Sequence, residues 1–230
     1  MAFRVIPILF VVASINILLC CEASFDLKFS RIVPTPPTLP QHFSASFAEI
    51  EVFLGKVISK NNGTWYYDYA NQRARFDHGE GQRNNFCGGQ GLSPKNSKAP
   101  CSIIFTPEED LIILYRESMT CCRLCGKEEG CTILKPDWMK NGSKLLYEET
   151  INGDDCYGYG KKGAVTTYDV LYSDVSGFMC RYHEVVVGIT HNLTFFKESY
   201  NFDPQPDYLF EVPQWCNKAC PHPYKPPHQH

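Results

Sequence analysis

The stretch WYYDYANQRARFDHG, residues 65–79, consists of two arms of alternating character joined by a short turn. Aromatic residues occupy every second position of the first arm: Trp65, Tyr67 and Tyr69. Charged residues occupy every second position of the second arm: Arg73, Arg75 and Asp77. Because successive side chains of a strand point to opposite faces, this pattern predicts an antiparallel hairpin whose aromatic side chains face the interior. We expect the arginines to face water or to pair with Asp68 and Asp77.

Short segments with the same period of two follow one another along much of the chain, separated by Gly, Pro and Asn. They lie at residues 48–58, 64–69, 73–78, 102–106, 111–119, 155–158, 165–172, 178–187 and 189–197. Turns that recur about every ten residues between such segments favour antiparallel meanders. The fold class predicted from this organisation is mainly β with minor α.

One segment has helical character instead. KPDWMKNGSKLLYEE, residues 135–149, places Trp138, Leu145 and Leu146 among good helix formers, although Gly142 weakens the pattern. We therefore expect a helix in this segment.

The N-terminus has the features of a secretory signal peptide. A single arginine precedes a short apolar run from Val5 to Leu19, and small residues follow near Ala23. The run is shorter than the ~20 apolar residues of a spanning helix. We predict a signal peptide at residues 1–23, a proline-rich leader at 24–41, one β-rich domain at 42–220 and a flexible His/Pro-rich tail at 221–230. No integral membrane segment is expected.

Three acceptor motifs for N-glycosylation support a secreted chain. They centre on Asn62, Asn141 and Asn192. A glycan on Asn192 would hold its face of the strand outward, so Leu193 and Phe195 should point inward.

Ten cysteines remain after the predicted signal peptide: Cys87, Cys101, Cys121, Cys122, Cys125, Cys131, Cys156, Cys180, Cys216 and Cys220. An even number in an oxidising compartment favours up to five disulfides. Zinc at the thiolates around Cys122 and Cys125 is the alternative, but no second knuckle follows. The most easily closed local loop joins Cys87 to Cys101. Cys121 and Cys122 should have different partners, because adjacent strand residues face opposite sides. We expect no metal and no cofactor.

Catalytic and nucleic-acid-binding motifs are absent from the sequence. HEVVVGITH, residues 183–191, begins like a zincin motif but lacks the second histidine at helical spacing. The net charge of −3 and the lack of a basic stripe exclude a nucleic-acid partner. We expect no enzyme, although an acid–base pair assembled only by folding stays open as an alternative.

A resemblance to known families rests on several short motifs. Tyr67-Asp68 followed by Asn71-Gln72-Arg73 and Arg75 resembles the early hairpin of ependymin-related proteins, and DLIILYRES, residues 110–118, is similar to their next apolar strand. A Pro-Asp-Trp segment at 136–138 and the ending DYLFEVPQWC, residues 207–216, resemble related secreted plant and protist proteins. The similarity spans about residues 41–216, and the insert at 118–131 departs from the ependymin pattern.

The resemblance implies a LolA-like fold, in which a curved antiparallel half-barrel is plugged by a helix or loops around an apolar pocket. It also implies hydrophobic or lipid-like ligands and a secreted, lysosomal or vacuolar location. The candidate ligand-binding residues are Trp65, Tyr67, Tyr69, Tyr168, Val170, Tyr172, Leu193 and Phe195.

The function expected from these observations is a secreted, glycosylated, non-catalytic binding protein for a hydrophobic ligand. An extracellular or vacuolar interaction protein with a filled core is the first alternative, and a secreted enzyme is the second. A homodimer is compatible with either of the non-catalytic functions.

Overall fold

The computed structural model describes residues 34–79, 84–88, 90–92, 98–163, 168–186 and 188–222. The predicted signal peptide, most of the predicted tail and the start of the predicted strand at 165–172 lie outside these residues. No helix in the described ranges is long and apolar enough to cross a membrane.

β-Strands make up nearly all of the regular secondary structure in the described chain. The strands are β1 His42–Phe53, β2 Lys56–Asp68, β3 Arg73–His78, β4 Cys101–Phe105, β5 Leu111–Tyr115, β6 Thr120–Cys125, β7 Lys144–Ile151, β8 Asp154–Lys162, β9 Tyr168–Ser173, β10 Met179–Val186 and β11 Ile189–Phe195. One α-helical turn, α1, covers Asn85–Gly88. Single 3-10 turns cover Tyr69–Asn71, Lys127–Glu129, Trp138–Lys140, Lys197–Ser199 and Asp207–Leu209.

All eleven strands form one antiparallel sheet with the order β6-β5-β4-β3-β2-β1-β11-β10-β9-β8-β7. Two meanders, β1 to β6 and β7 to β11, are joined where β1 pairs with β11. Register shifts at bulges in β1, β5, β7 and β10 bend the strands, so the sheet is open and curved. The predicted mainly β, curved antiparallel fold is confirmed.

The predicted helix at residues 135–149 is wrong. Only Trp138–Lys140 forms a 3-10 turn, and Lys144–Ile151 is strand β7, paired with β8. Gly142 adopts a left-handed φ of 81° and separates the two. Pairing with a neighbouring strand outweighs the helix propensity of the individual residues, which is a weak preference. Strand β6 lies outside every segment predicted from alternation.

The inner face of the sheet, defined as the face that carries Trp65 and Tyr67, holds the main hydrophobic core. Side chains from β1, β2, β3 and β8 to β11 belong to one continuous cluster, as a concave surface requires. A plug formed by residues 131–140 covers this cluster, and its Met139 is almost fully buried. Leu39, from the predicted leader, packs there too, and its backbone N–H donates to Pro136 O.

Five disulfides use all ten of the predicted cysteines. The predicted Cys87–Cys101 bridge is confirmed, and the adjacent cysteines of β6 have different partners as expected. The bridges are Cys87–Cys101, Cys121–Cys216, Cys122–Cys220, Cys125–Cys131 and Cys156–Cys180. The second and third of these fasten the C-terminal segment to strand β6.

The arginines of the opening hairpin lie on the outer face, but they are not solvated as expected. Arg73 pairs with Asp68 at 2.8 Å, and Arg75 pairs with Asp77 at 2.6 Å, so the predicted pairing is confirmed. The C-terminal segment covers both side chains, and Arg75 is only 9% exposed. Its guanidinium also donates to the carbonyl of Leu209, which holds that segment against the sheet.

Candidate functional site

The aromatic residues of the opening hairpin fill the inner face. The ring centroids of Phe43 and Trp65 are 5.0 Å apart, and those of Trp65 and Phe76 are 4.9 Å apart. Tyr67 is fully buried, and its hydroxyl donates to the carbonyl of Leu134 in the plug at 2.6 Å. Burial raises the pKa of Tyr67 above its usual value. These side chains pack against one another. They therefore belong to the hydrophobic core and do not line an open ligand cavity.

The candidate ligand-binding residues do not all come together. Leu193 and Phe195 point inward and join the cluster of Trp65 and Tyr67, and Tyr69 packs at its edge. Val170 and Tyr172 are also buried, but they pack with the Cys156–Cys180 disulfide in a separate cluster. Their strand neighbour Leu171 is the residue that belongs to the inner-face cluster, which places Val170 and Tyr172 on the outer face.

Tyr168 lies apart from both groups, because it is 44% exposed at the start of β9. The structure thus brings together five of the eight candidate residues, and it distributes the three from β9 elsewhere.

An open pocket of about 140 Å³ lies at the edge of the inner-face cluster. Six apolar or aromatic residues form most of its wall: Leu39, Phe43, Phe178, Met179, Tyr200 and Phe202. We refer to it as the aromatic pocket. Phe43 and Met179 come from strands β1 and β10, whereas Phe178, Tyr200 and Phe202 come from irregular segments.

The aromatic rings of this pocket are held in contact. The centroid of Phe178 is 5.3 Å from that of Tyr200, and Tyr200 is 5.8 Å from both Phe43 and Phe202. The Tyr200 hydroxyl donates to the carbonyl of Met179 at 2.9 Å, and burial raises the pKa of this tyrosine. Phe202 remains 45% exposed, so one aromatic face of the pocket is presented to solvent.

Sequence reasoning missed these pocket residues. YNFD, residues 200–203, lies outside every segment predicted from alternation, whereas Phe178 is the first residue of the segment at 178–187, where alternation alone gives no reason to select it as a site residue. The signal that could have identified the site is the presence of several aromatic residues in segments that are not predicted to be strands. Loops that are positioned by a rigid scaffold carry binding residues disproportionately often.

A second notable feature of the inner face is a buried polar cluster near the end of β1. Glu49, Glu51 and His191 are 3%, 0% and 3% exposed, and His78 is 4% exposed. His191 Nδ1 lies 3.2 Å from Glu49 Oε1 and 3.7 Å from Glu51 Oε1. His78 Nε2 lies 3.4 Å from Glu49 Oε2. We refer to these four residues as the Glu–His cluster.

Glu49 and His191 of this cluster shift each other's pKa values. Burial by itself would raise the pKa of Glu49, but hydrogen bonding and attraction to His191 and His78 outweigh it and lower the pKa to about 2. Burial would lower the pKa of His191, whereas Glu49, Glu184 and Glu51 together raise it. Glu184 faces His191 across the β10–β11 pair, and burial raises the pKa of its carboxyl. The arrangement therefore favours a carboxylate–imidazolium interaction.

The predicted glycosylation sites are all on the outer side of the fold or in loops. Asn62 and Asn141 are exposed, and Asn192 is half-buried. The Asn192 side-chain oxygen lies 2.8 Å from His183 Nδ1. Leu193 and Phe195 point inward, as expected from an outward Asn192.

Comparisons with known proteins give structural likeness only. No protein-family profile matches the chain, and no curated protein sequence is significantly similar to it. An uncharacterised conserved protein from Thermus thermophilus has 10% identity and a TM-score of 0.47, covering 79% of this chain and 91% of its own. A LolA superfamily protein from Nitrosomonas europaea has 14% identity and a TM-score of 0.40, covering 76% and 92%.

MucB in the Pseudomonas aeruginosa MucA/MucB complex has 11% identity and a TM-score of 0.36, covering 76% of this chain and 56% of its own. These similar structures include a LolA superfamily protein, whereas nothing among these matches supports the ependymin-related part of the resemblance. With TM-scores below 0.5, the likenesses carry no argument about function, which has to rest on the site itself.

Proposed function

We propose that the protein is a secreted, glycosylated, non-catalytic binding protein for a hydrophobic ligand, and that the aromatic pocket receives it. The observation that carries the proposal is an open, aromatic-lined pocket with a solvent-exposed phenylalanine at its rim. Exposed apolar surface that lines a concavity is typical of ligand-binding sites.

The size of the pocket defines the ligand class. A cavity of roughly 150 Å³ holds a molecule about the size of benzene. The aromatic pocket, at about 140 Å³, therefore accepts one apolar ring or the end of one aliphatic chain. The rest of a lipid-like ligand would lie outside it, along the exposed rim. This volume is too small to enclose a whole diacyl lipid, since even the pockets that bind drug-sized ligands measure about 300–1,000 Å³.

Phe202 should contribute a large share of the affinity. It is 45% exposed, which for a phenylalanine is an accessible area of about 90 Å², and covering that area is worth about 2 kcal/mol. The ring is held by stacking on Tyr200 at 5.8 Å, so little conformational freedom is lost on binding.

The densely packed inner face supports a second candidate function, an extracellular interaction protein. Trp65, Tyr67 and Phe43 are at most 2% exposed, and their ring centroids lie 5.0–5.5 Å from one another. An enzyme is supported less well. The Glu–His cluster has suitable groups, but the most exposed of its four residues is only 4% accessible, which gives a substrate no approach in the described part of the chain.

The test uses protein from a secreting eukaryotic host, with N-glycans removed before native mass spectrometry and organic extraction. We expect a lipid-like adduct in the wild type, or its appearance after incubation with mixed lipids. Phe202→Asp should lower the affinity at least about tenfold, because it removes about 2 kcal/mol of apolar contact and places a charge at the rim.

Phe53→Asp is the matched control. Phe53 is 43% exposed at the far end of β1, so the substitution has the same chemistry and similar exposure away from the pocket. Equal loss of adduct in both variants would contradict the assignment to the aromatic pocket. A wild-type protein that stays free of ligand after incubation with lipids would contradict hydrophobic-ligand binding and favour the interaction protein.

A further inference from the structure

The Glu–His cluster is not used by the proposed ligand site. It lies about 20 Å from Phe43 along β1, since six residues of strand at roughly 3.4 Å each separate Phe43 from Glu49. Placing carboxylates on the inner face of a hydrophobic sheet is energetically costly, because buried charges need compensation by partners of opposite charge. Strands β1 and β11 nevertheless bring two carboxylates, Glu49 and Glu51, and the imidazole of His191 to one point.

We propose that Glu49, Glu51 and His191 bind a divalent cation of the Zn²⁺ type. Each residue offers one ligand atom, and the three atoms lie within 4.8 Å of one another. Glu49 and Glu51 alternate on the inner face of β1, and His191 is the register partner of Glu51 on β11. All three metal-ligand residues therefore lie on paired strands, and none of them depends on a loop for its position.

The two distances from His191 to the carboxylates are close to the ligand–ligand distances of a tetrahedral zinc site. With metal–ligand bonds of about 2.0–2.1 Å, neighbouring ligand atoms of a tetrahedral zinc site are about 3.3 Å apart. His191 Nδ1 is 3.2 Å from Glu49 Oε1 and 3.7 Å from Glu51 Oε1. Only small side-chain adjustments would bring these atoms onto one ion. Binding would displace the proton on His191 Nδ1 into solvent.

Both carboxylates are oriented by amide groups, as expected of metal ligands. The Asn84 side-chain amide donates to Glu49 Oε2. The backbone N–H of Asn85 donates to Glu51 Oε1 at 2.9 Å, and its side-chain amide donates to Glu51 Oε2 at 2.6 Å. These bonds hold the carboxylates in place and leave Glu49 Oε1 facing His191.

His78 borders the site from β3. Its ring is 4% exposed, and its Nε2 lies 3.4 Å from Glu49 Oε2. It can therefore balance the charge of Glu49, but it is not one of the three proposed ligands. Within the described chain, Glu49 and Glu51 form ion pairs only with histidines and none with lysine or arginine.

The donor set selects the metal class. Imidazole nitrogen combined with carboxylate oxygen suits Zn²⁺ and its neighbours, whereas Ca²⁺ takes six to eight oxygen ligands. The proposal departs from the sequence expectation of no metal, which rested on disulfide pairing of the cysteines and on the missing second histidine at helical spacing in residues 183–191.

The experiment titrates metal-free, full-length protein with Zn²⁺ alone by calorimetry, and with Co²⁺ by visible absorption. We expect one equivalent to bind, with tetrahedral Co²⁺ bands, and no competition from excess Ca²⁺. His191→Gln and Glu51→Gln should each weaken Zn²⁺ binding at least about tenfold. Replacing a residue that only orients a metal ligand already lowers metal affinity by about tenfold or more.

His183→Gln is the matched control and should bind Zn²⁺ like the wild type. His183 is on the neighbouring strand β10, and its Nδ1 contacts Asn192 on the outer face instead of the cluster. The variant with His228→Asn and His230→Asn lacks two of the histidines of the C-terminal tail. It should still bind one equivalent of Zn²⁺.

Far-UV circular dichroism identifies any variant that fails to fold. Glutamine is chosen because it is close in size to the residues that it replaces, so the variants are expected to fold. Unchanged Zn²⁺ affinity in folded His191→Gln and Glu51→Gln would overturn the site. The proposed site would also be overturned if the tail variant bound no Zn²⁺, or if the wild-type protein bound none.

Discussion

Alanine replacement of all four cysteines in the Cys121–Cys216 and Cys122–Cys220 bridges should lower the free energy of unfolding by about 7 kcal/mol. Removal of either bridge alone should lower it by only about 2 kcal/mol. The two bridges close almost the same loop, with sequence separations of 95 and 98. Either bridge therefore retains most of the constraint that the pair places on the unfolded chain.

The magnitudes follow from loop-closure entropy. Closing a loop of about 97 residues restricts the unfolded state by about 4.7 kcal/mol, and the second closure adds only a loop of about five residues, worth about 2 kcal/mol. In the folded state, backbone bonds between Arg123 and the C-terminal segment, to Lys218 and from Cys220, keep the ends aligned when one bridge is absent.

Urea unfolding of the two single-bridge variants, the double-bridge variant and the wild type measures this coupling. Removal of Cys125–Cys131, with a separation of 6, is the control and should change stability by about 2 kcal/mol independently of the others. Strictly additive losses for the two overlapping bridges would contradict the loop-entropy explanation.

Gly63→Ala should destabilise the protein by about 3 kcal/mol or more, which is at the upper end of the effect of overpacking. A Cβ atom at Gly63 would overlap the backbone carbonyl oxygen of Asp77 on β3 and the ring of Phe47. The carbonyl cannot move unless β2 and β3 separate, and Phe47 is fully buried. Glycine is thus required by close approach of the two strands.

Gly160→Ala is the matched control, because Gly160 is also inside a strand, β8. Its added Cβ would meet the side-chain ends of Leu146 and Tyr168, which are 39% and 44% exposed and free to turn away. We expect the unfolding free energy to change by less than about 1 kcal/mol. Thermal and urea unfolding compare the two variants, and equal destabilisation would contradict the backbone-clash argument.

Local patterns predicted much of the architecture. Alternation at residues 73–78 matches β3 to the residue, and the segments at 102–106, 155–158 and 189–197 overlap β4, β8 and β11. A strand's period of two is a property of a few consecutive residues, so it is visible before folding. The helix expected at 135–149 failed because pairing with β8 depends on residues elsewhere in the chain.

The same reasoning located part of the core but not the sites. Alternation placed Trp65, Tyr67, Leu193 and Phe195 on the inner face, where they are found. Tyr168, Val170 and Tyr172 are candidate ligand-binding residues as well, but alternation indicates only that they share a face and not which face it is. The identity of that face depends on how β9 pairs with β8 and β10, and a shift of one residue exchanges the two sides.

By itself, the sequence determined a mainly β, antiparallel, disulfide-bonded protein, and it showed that Cys121 and Cys122 must have different partners. The tertiary structure alone decided which bridges fasten the C-terminus, which residues form the aromatic pocket, and that Glu49, Glu51, His78 and His191 meet. The physical reason is the range of the interactions. Strand periodicity arises from neighbouring residues, whereas Phe43 meets Tyr200, and Glu49 meets His191, only because β1 pairs with β11 across the whole sequence.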